Sequence, residues 1–192
     1  MRSLLPVKAI KTLAMLGAAS SLLAAPALAC ADLTAGPIAR VVAVTDGDTV
    51  ILDNGDKLRL IGLQAPKLPL GRPDFDAWPL ADEAKAALEE IALGQQVEVR
   101  FGGAERDRHG RVLGHMFIGE TEVWAQEELL RMGMARVYSF ADNRSCLKEL
   151  YRAEAVGRAN RAGIWTEEFY AIAQADRPQS ILALEGEYGL VE

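Results

Sequence analysis

Two carboxylates on a tight turn and two arginines farther along the chain are the residues best suited to chemistry in this 192-residue sequence. Asp46-Gly47-Asp48-Thr49 separates two runs rich in β-branched residues, so both carboxylates sit where a strand reverses and could coordinate a hard cation. Calcium or magnesium would need further oxygen ligands from nearby loops, and Asp-Gly turns are common in hairpins, so this motif alone is weak. Arg59 lies among Leu58, Leu60 and Ile61, where an inward-facing charge needs a partner. Arg111 follows Asp107-Arg108-His109-Gly110, a turn in which Gly110 can take positive φ and leave the arginine at the start of a strand. Guanidinium groups at fixed positions grip a phosphate through parallel hydrogen bonds and stabilise charge that builds on phosphorus. Taken singly, each arginine is better explained as a partner for one of the 27 acidic residues.

The elements that must position these residues follow from periodicity. Arg40 to Val44, Thr49 to Leu52 and Lys57 to Leu63 alternate as strands, the last two joined by Asp53-Asn54-Gly55-Asp56, whose Asn-Gly suits a hairpin. Gln64 to Pro79 holds four prolines and reads as a long surface loop. A helix follows, with Leu80, Ala84, Ala87, Leu88 and Ile91 on one face, and Gly94 stops it. Gln96 to Phe101 and Val112 to Ile118 form a further hairpin. Helices near Ala125 to Met132 and Arg144 to Ala162 complete the body, the second with Leu147, Leu150, Tyr151 and Ala155 inward. Five strands with a helix after the third predict an α+β fold dominated by a five-stranded OB-fold barrel with about three helices, spanning residues 37–165.

The stretches Asp46-Gly47-Asp48-Thr49-Val50, Leu58-Arg59-Leu60-Ile61-Gly62-Leu63 leading to Pro66, and Asp107-Arg108-His109-Gly110-Arg111 stand in order at fitting separations. Together with Gly133-Met134-Ala135-Arg136-Val137 and Gly163-Ile164-Trp165, they resemble the thermonuclease (staphylococcal-nuclease-like) family across nearly the whole body. The resemblance implies a phosphodiester hydrolase of DNA or RNA on an OB-fold barrel. It implies calcium at Asp48 and the Ala65 backbone carbonyl, and phosphate contacts from Arg59 and Arg111. Tyr138 and Phe140 would stack near the nucleotide. Arg108 and His109 would touch substrate, His109 standing where the family usually has a tyrosine.

Two positions depart from the pattern. The family's third strand runs into Asp-x-Pro-Glu, where the Asp is a calcium ligand and the Glu helps to activate water; here the chain reads Gln64-Ala65-Pro66-Lys67. General-base catalysis contributes on the order of a hundred- to ten-thousand-fold, so its loss slows turnover without abolishing it. A neutral amide and a cation also weaken the calcium site while attracting phosphate, which Lys67, Arg59, Arg111 and Arg72 could bind with no metal. Asp74 and Asp76 are candidate replacement carboxylates, and His109 a candidate acid or base. His115 and the three tryptophans read as packing residues.

The ends have a different composition. Arg2, Lys8 and Lys11 precede an apolar run to Ala25, and Ala27-Leu28-Ala29 offers small residues for cleavage, the layout of a signal peptide over residues 1–29. Its removal takes away three cations and no acid, which carries the net charge from −6 to −9 and argues against tight polynucleotide binding through phosphate neutralisation. Export to the periplasm or medium is therefore expected, with no stable membrane span after cleavage. Cys30, the first mature residue, then has two competing fates: a lipid anchor, through a weak lipoprotein-type box, or a disulfide to Cys146. Residues 166–192 form an extension to which the sequence assigns no role. The expected partner is nucleic acid or a nucleotide phosphate. The alternative is a non-catalytic nucleic-acid-, nucleotide- or phosphate-binding module of the cell envelope.

Overall fold

The computed structural model describes residue 30 and residues 32–171; the expected signal segment 1–29 and most of the extension, residues 172–192, lie outside the described residues. Strand β1 (Thr34–Asp46) turns through Gly47-Asp48 into β2 (Thr49–Leu52), which pairs antiparallel with β3 (Lys57–Leu60). After β4 (Leu63–Gln64) and helix α1 (Ala81–Ala92), β5 (Gln96–Phe101) pairs antiparallel with both β1 and β6 (Val112–Ile118). The sheet order β3-β2-β1-β5-β6, with β3 running parallel to β6, closes five strands into a barrel. Strand β1 reaches both neighbours because register shifts at Val41/Ala43, Val44/Asp46 and Ala35/Ile38 bend it around the corner. The barrel is filled by Val41, Val50, Leu58, Leu60, Val99 and Met116, all fully buried. Short strand β7 (Val123–Trp124) leads directly into α2 (Ala125–Arg131), and β8 (Arg136–Val137) pairs with β4 before α3 (Leu147–Ala159).

The fold class is the expected one, with differences that have local causes. The third strand stops at Leu60 rather than Leu63, because Gly62 takes φ +82° and a Cβ there would fall 2.4 Å from Leu150 Cδ1. The chain therefore leaves the barrel at that glycine, and Leu63-Gln64 pairs with β8 instead. Helix α3 begins at Leu147, not Arg144. Cys146, just before it, is held at φ +64° and bonded to Cys30, with Cα atoms 5.3 Å apart. The buried face of α3 is also offset: Tyr151 and Ala155 are exposed, while Leu150, Ala153, Glu154 and Gly157 are buried.

The proline-rich loop is pinned at both ends. The Trp78 N–H donates to the Lys67 carbonyl at 2.9 Å, and the Tyr170 hydroxyl donates to the Pro79 carbonyl at 2.6 Å. Trp78 also packs on Phe169, so residues beyond Trp165, as far as Tyr170, pack against the body. Arg72 stacks 3.6 Å over Phe75 and donates to the Leu68 and Pro69 carbonyls, so it braces its own loop.

Barrel closure rests on a residue that periodicity does not single out. Gln126 is fully buried in α2; its Nε2 donates to the carbonyls of Gly114 and Ile61, and its Oε1 accepts from the Met116 N–H. Three backbone groups at the place where β3 and β6 part are satisfied by one side chain. Gln126→Leu removes the partner of the Met116 N–H and of the Ile61 carbonyl, while the Gly114 carbonyl keeps the Ile61 N–H, and should cost about 2–4 kcal/mol in urea unfolding; a loss below 0.5 kcal/mol, the size of a neutral surface change, would refute this role.

His115 supplies a pH signature. Its ring meets Trp124 edge-on, and neither nitrogen has a hydrogen-bond partner among the described residues. Burial pushes its imidazole down from the ordinary 6.5 to about 4. The unfolded chain thus binds this proton near pH 6.5 and the folded chain only near pH 4. Stability should be full above pH 6.5 and fall by about 3 kcal/mol as pH drops to 4. In His115→Leu that slope should flatten; an unchanged slope would assign it to another group.

Candidate active site

The site is organised around Asp48, 1% exposed at the β1–β2 turn. A Cβ on Gly47 would lie 2.7 Å from Ala65 Cβ and 2.8 Å from Ala84 Cβ, so only glycine lets the turn tuck under the loop and α1. Asp46 Oδ1 accepts from the Asp48 N–H at 3.1 Å and fixes the turn from within.

Each oxygen of the Asp48 carboxylate has two partners. Oδ1 is in direct ion-pair contact with Arg59 Nη1 and accepts from the Thr49 hydroxyl at 3.2 Å. Oδ2 accepts from the Ala65 N–H and from Lys67 Nζ, both at 3.0 Å. An ionised carboxylate offers about four lone-pair positions, so none is left over. Arg59 also donates to the Asp48 carbonyl at 3.3 Å and to the Leu63 carbonyl at 3.2 Å, which fastens β3 to the turn and to β4.

Burial, with repulsion from Arg111, pushes Arg59 down to about 10 against the pull of Asp46 and Asp107, which leaves it charged at neutral pH. Burial first, then the charge of Arg59, pushes Lys67 down to about 7, with Asp46 opposing. The 3.0 Å contact with Asp48 favours the charged form, and this ion-pair geometry argues for the ammonium at neutral pH.

Arg59 and Arg111 line one cavity of about 460 Å³, together with Arg108, His109, Tyr138 and Phe140. Arg111 donates through Nε to Asp107 Oδ2 at 2.7 Å, and the Asp107 carboxyl, held low by Arg111, also accepts the backbone N–H groups of His109 and Arg111. The turn is thereby rigid, and Arg111 is aimed from it. His109 accepts from Arg108 Nε at 3.2 Å at the exposed rim. Tyr138 and Phe140 meet edge to face at 5.2 Å, 42% and 62% exposed, an apolar wall open to solvent.

Six expected residues thus share the cavity, whereas Asp48, Gln64, Ala65 and Lys67 do not line it; Asp48 pairs with Arg59 and is met by Ala65 and Lys67, and Gln64 faces Arg136. Asp74 and Asp76 are exposed and outside it. Sequence reasoning missed Arg106, Asp142 and Asn143 on the cavity wall. It also missed Glu154, whose Oε1 accepts from the Val137 N–H at 3.1 Å and steadies the strand leading to Tyr138. Arg106 adjoins the Asp107 turn and could have been included; Glu154 lay on a helix face read one position out of phase.

A calcium ion takes six to eight oxygen ligands. The lone pairs of Asp48 are engaged, and Gln64 Oε1 accepts from Arg136 Nη2 at 3.1 Å. Ala65 approaches Asp48 through its N–H, and Lys67 brings a positive charge. Among the described residues no group of three or more His, Cys, Asp or Glu is placed to hold a metal ion. The residues present do not fit calcium.

A closed five-stranded barrel with two arginines, Arg59 and Arg111, in one aromatic-edged cavity defines an OB-type domain. The chain belongs to the staphylococcal nuclease homologue family, whose model matches residues 57–167, a span that holds Arg59 and Arg111 but not the Asp48 turn. It is 28% identical over 130 residues to a thermonuclease of Staphylococcus hyicus, covering 66% of this chain and 75% of that one. It is 27% identical over 141 residues to a protein of Escherichia coli described as an uncharacterized endonuclease, covering 72% and 80%. Endonuclease YhcR of Bacillus subtilis is 28% identical over 134 residues, which are 65% of this chain and 11% of that protein.

Asp48 balances two cations, and removing its charge should be costly. Asp48→Asn leaves Arg59 and Lys67 without their anion and should destabilise the fold by about 3–5 kcal/mol in urea. Lys67→Met added to that background should restore part of the loss; no coupling between the two changes would show that Lys67 is held elsewhere.

Proposed function

We propose that the chain is an exported phosphodiester hydrolase that cleaves DNA or RNA slowly. The observation that carries this reading is the convergence of Arg59 and Arg111 on one cavity beside Tyr138 and Phe140. Their guanidinium groups would hold a backbone phosphate and stabilise the charge that develops as water attacks phosphorus, while the aromatic pair receives a base. Slow turnover follows from the surroundings of the arginines. Lys67 stands where the family has a water-activating carboxylate, and Asp107, on the cavity wall, is committed to Arg111. The relatives named thermonuclease and endonuclease support nucleic acid as the substrate class.

A second reading, a non-catalytic binder of nucleic acid, nucleotide or phosphate in the envelope, is favoured by the saturation of Asp48, which ties up the acidic end of the site. Export is supported by the Cys30–Cys146 bond, since disulfides persist in oxidising compartments. With the Cys30 sulfur committed to Cys146, the periplasmic or secreted form is favoured over a lipid-anchored one. No helix among the described residues is long and apolar enough to cross a membrane.

The test is degradation of single- and double-stranded DNA and of RNA by the purified mature protein, with calcium and with a chelator. Cleavage that drops at least tenfold in Arg59→Ala and in Arg111→Ala is expected. No cleavage in either buffer would sink the hydrolase reading. Oligonucleotide binding that then survives in the wild type and vanishes in Arg59→Ala would establish the binder.

A further inference from the structure

Lys67 does not line the cavity, and unlike Arg72, which braces its own loop, it is paired with Asp48. Its ammonium meets Asp48 Oδ2 at 3.0 Å, the oxygen opposite the one paired with Arg59. Its backbone is not free to wander: the Lys67 carbonyl accepts from the Trp78 N–H, and the far end of that loop is tied to Tyr170. We infer that the Lys67 ammonium is a tethered substitute for a divalent cation, so that the site assembles and takes a phosphate group without calcium. The inference rests on the phosphate-binding reading of the cavity and specifies what that binding requires.

Three observations carry it. First, all four lone-pair positions of Asp48 are occupied, so a metal ion could bind only by expelling Lys67, Arg59, the Thr49 hydroxyl or the Ala65 N–H. Second, Asp46 and Asp48 face Arg59 and Lys67, two anions against two cations. A divalent cation entering there meets no net negative charge to hold it. Third, the cations keep donors to spare. Arg59 uses three of its five N–H bonds on the Asp48 carboxylate, the Asp48 carbonyl and the Leu63 carbonyl, and Lys67 uses one of three. Arg59 lines the cavity and can give its remaining two to a phosphate. Lys67 does not line it, so its role is to neutralise Asp48 from behind and leave the outward edge of Arg59 available to the ligand. Lys67 is in this sense a positioning residue.

The experiment begins with the free wild-type protein. Calorimetric titration with calcium chloride, in the absence of nucleic acid, should show no uptake tighter than about 1 mM, the range of loose extracellular calcium sites. A fluorescein-labelled, 5′-phosphorylated single-stranded oligonucleotide should bind with dissociation constants that agree within about twofold in calcium and in chelator. The double variant Gln64→Asp with Lys67→Glu should bind calcium at least tenfold more tightly than wild type, and its affinity for the oligonucleotide should become chelator-sensitive. Lys67→Arg keeps a cation behind Arg59 and should stay indifferent to calcium. Calcium uptake by the wild type tighter than 1 mM, or a tenfold or greater loss of oligonucleotide affinity in chelator, would overturn the inference. If the double variant fails to fold, the wild-type titrations still decide. If the oligonucleotide binds in neither buffer, the functional reading of the cavity fails, while the calcium titration alone still judges whether Lys67 has replaced the metal.

Discussion

One buried carboxylate holds the working end of this barrel together. Asp48 joins three successive segments: its own turn, strand β3 through Arg59, and the post-β4 loop through the Ala65 N–H and Lys67. Burying an anion is expensive unless every lone pair is met and its charge is offset. Here both conditions hold, with two cations and two neutral donors around one carboxylate. The orientation of Arg59, and with it one wall of the cavity, is a consequence. Gly47 and Ala65 are small because the turn, the loop and α1 converge within van der Waals contact around that charge.

The site lies on a chain whose overall charge opposes its proposed ligand. A net charge of −6 repels polyanions at long range, but screening confines such repulsion to about 10 Å at moderate salt. Within the cavity the balance is local. Asp107 offsets Arg111, Asp56 pairs with Arg106, Arg59 is balanced by Asp48, and Arg108 lies at the rim beside His109. Recognition by a few placed guanidinium groups and an aromatic edge needs no basic surface.

What was legible in the sequence was whatever is encoded locally. The Asp46-Gly47-Asp48 turn, the Asn54-Gly55 hairpin and the β5–β6 pair declare themselves through glycine, side-chain–backbone bonds and period-two alternation, and so does the barrel they build. Arg59 and Arg111 stood out only in combination with the other motifs of the family resemblance, since each alone reads as an ion-pair partner, and Arg106 on the same cavity wall did not stand out at all. Tertiary events were not legible. Gly62 ends β3 because Leu150, 88 residues later, presses on it. Gln126 and Glu154 are polar residues on helices whose partners are main-chain groups of other elements, so an apolar-face count places them outside. The buried face of α3 is set by what it packs against, α2, β8 and the turn Gly163–Thr166, and these tertiary partners are not expressed in the helix's own periodicity.

The two departures from the family pattern read differently once their partners are known. Gln64 and Lys67 taken alone suggest a site that has lost its chemistry piecemeal, a ligand here and a base there. In the fold each replacement is engaged. Gln64 accepts from Arg136 across the β4–β8 pair, and Lys67 closes the last lone pair of Asp48. A carboxylate at position 67 would set a second anion against the Oδ2 of Asp48, and the pair would then need an added cation to coexist. The ammonium removes that need, so the change at 67 and the crowding of Asp48 form one electrostatic solution. On the proposed reading the site would lack a base for water and keep a guanidinium edge with two unspent donors to offer a phosphate.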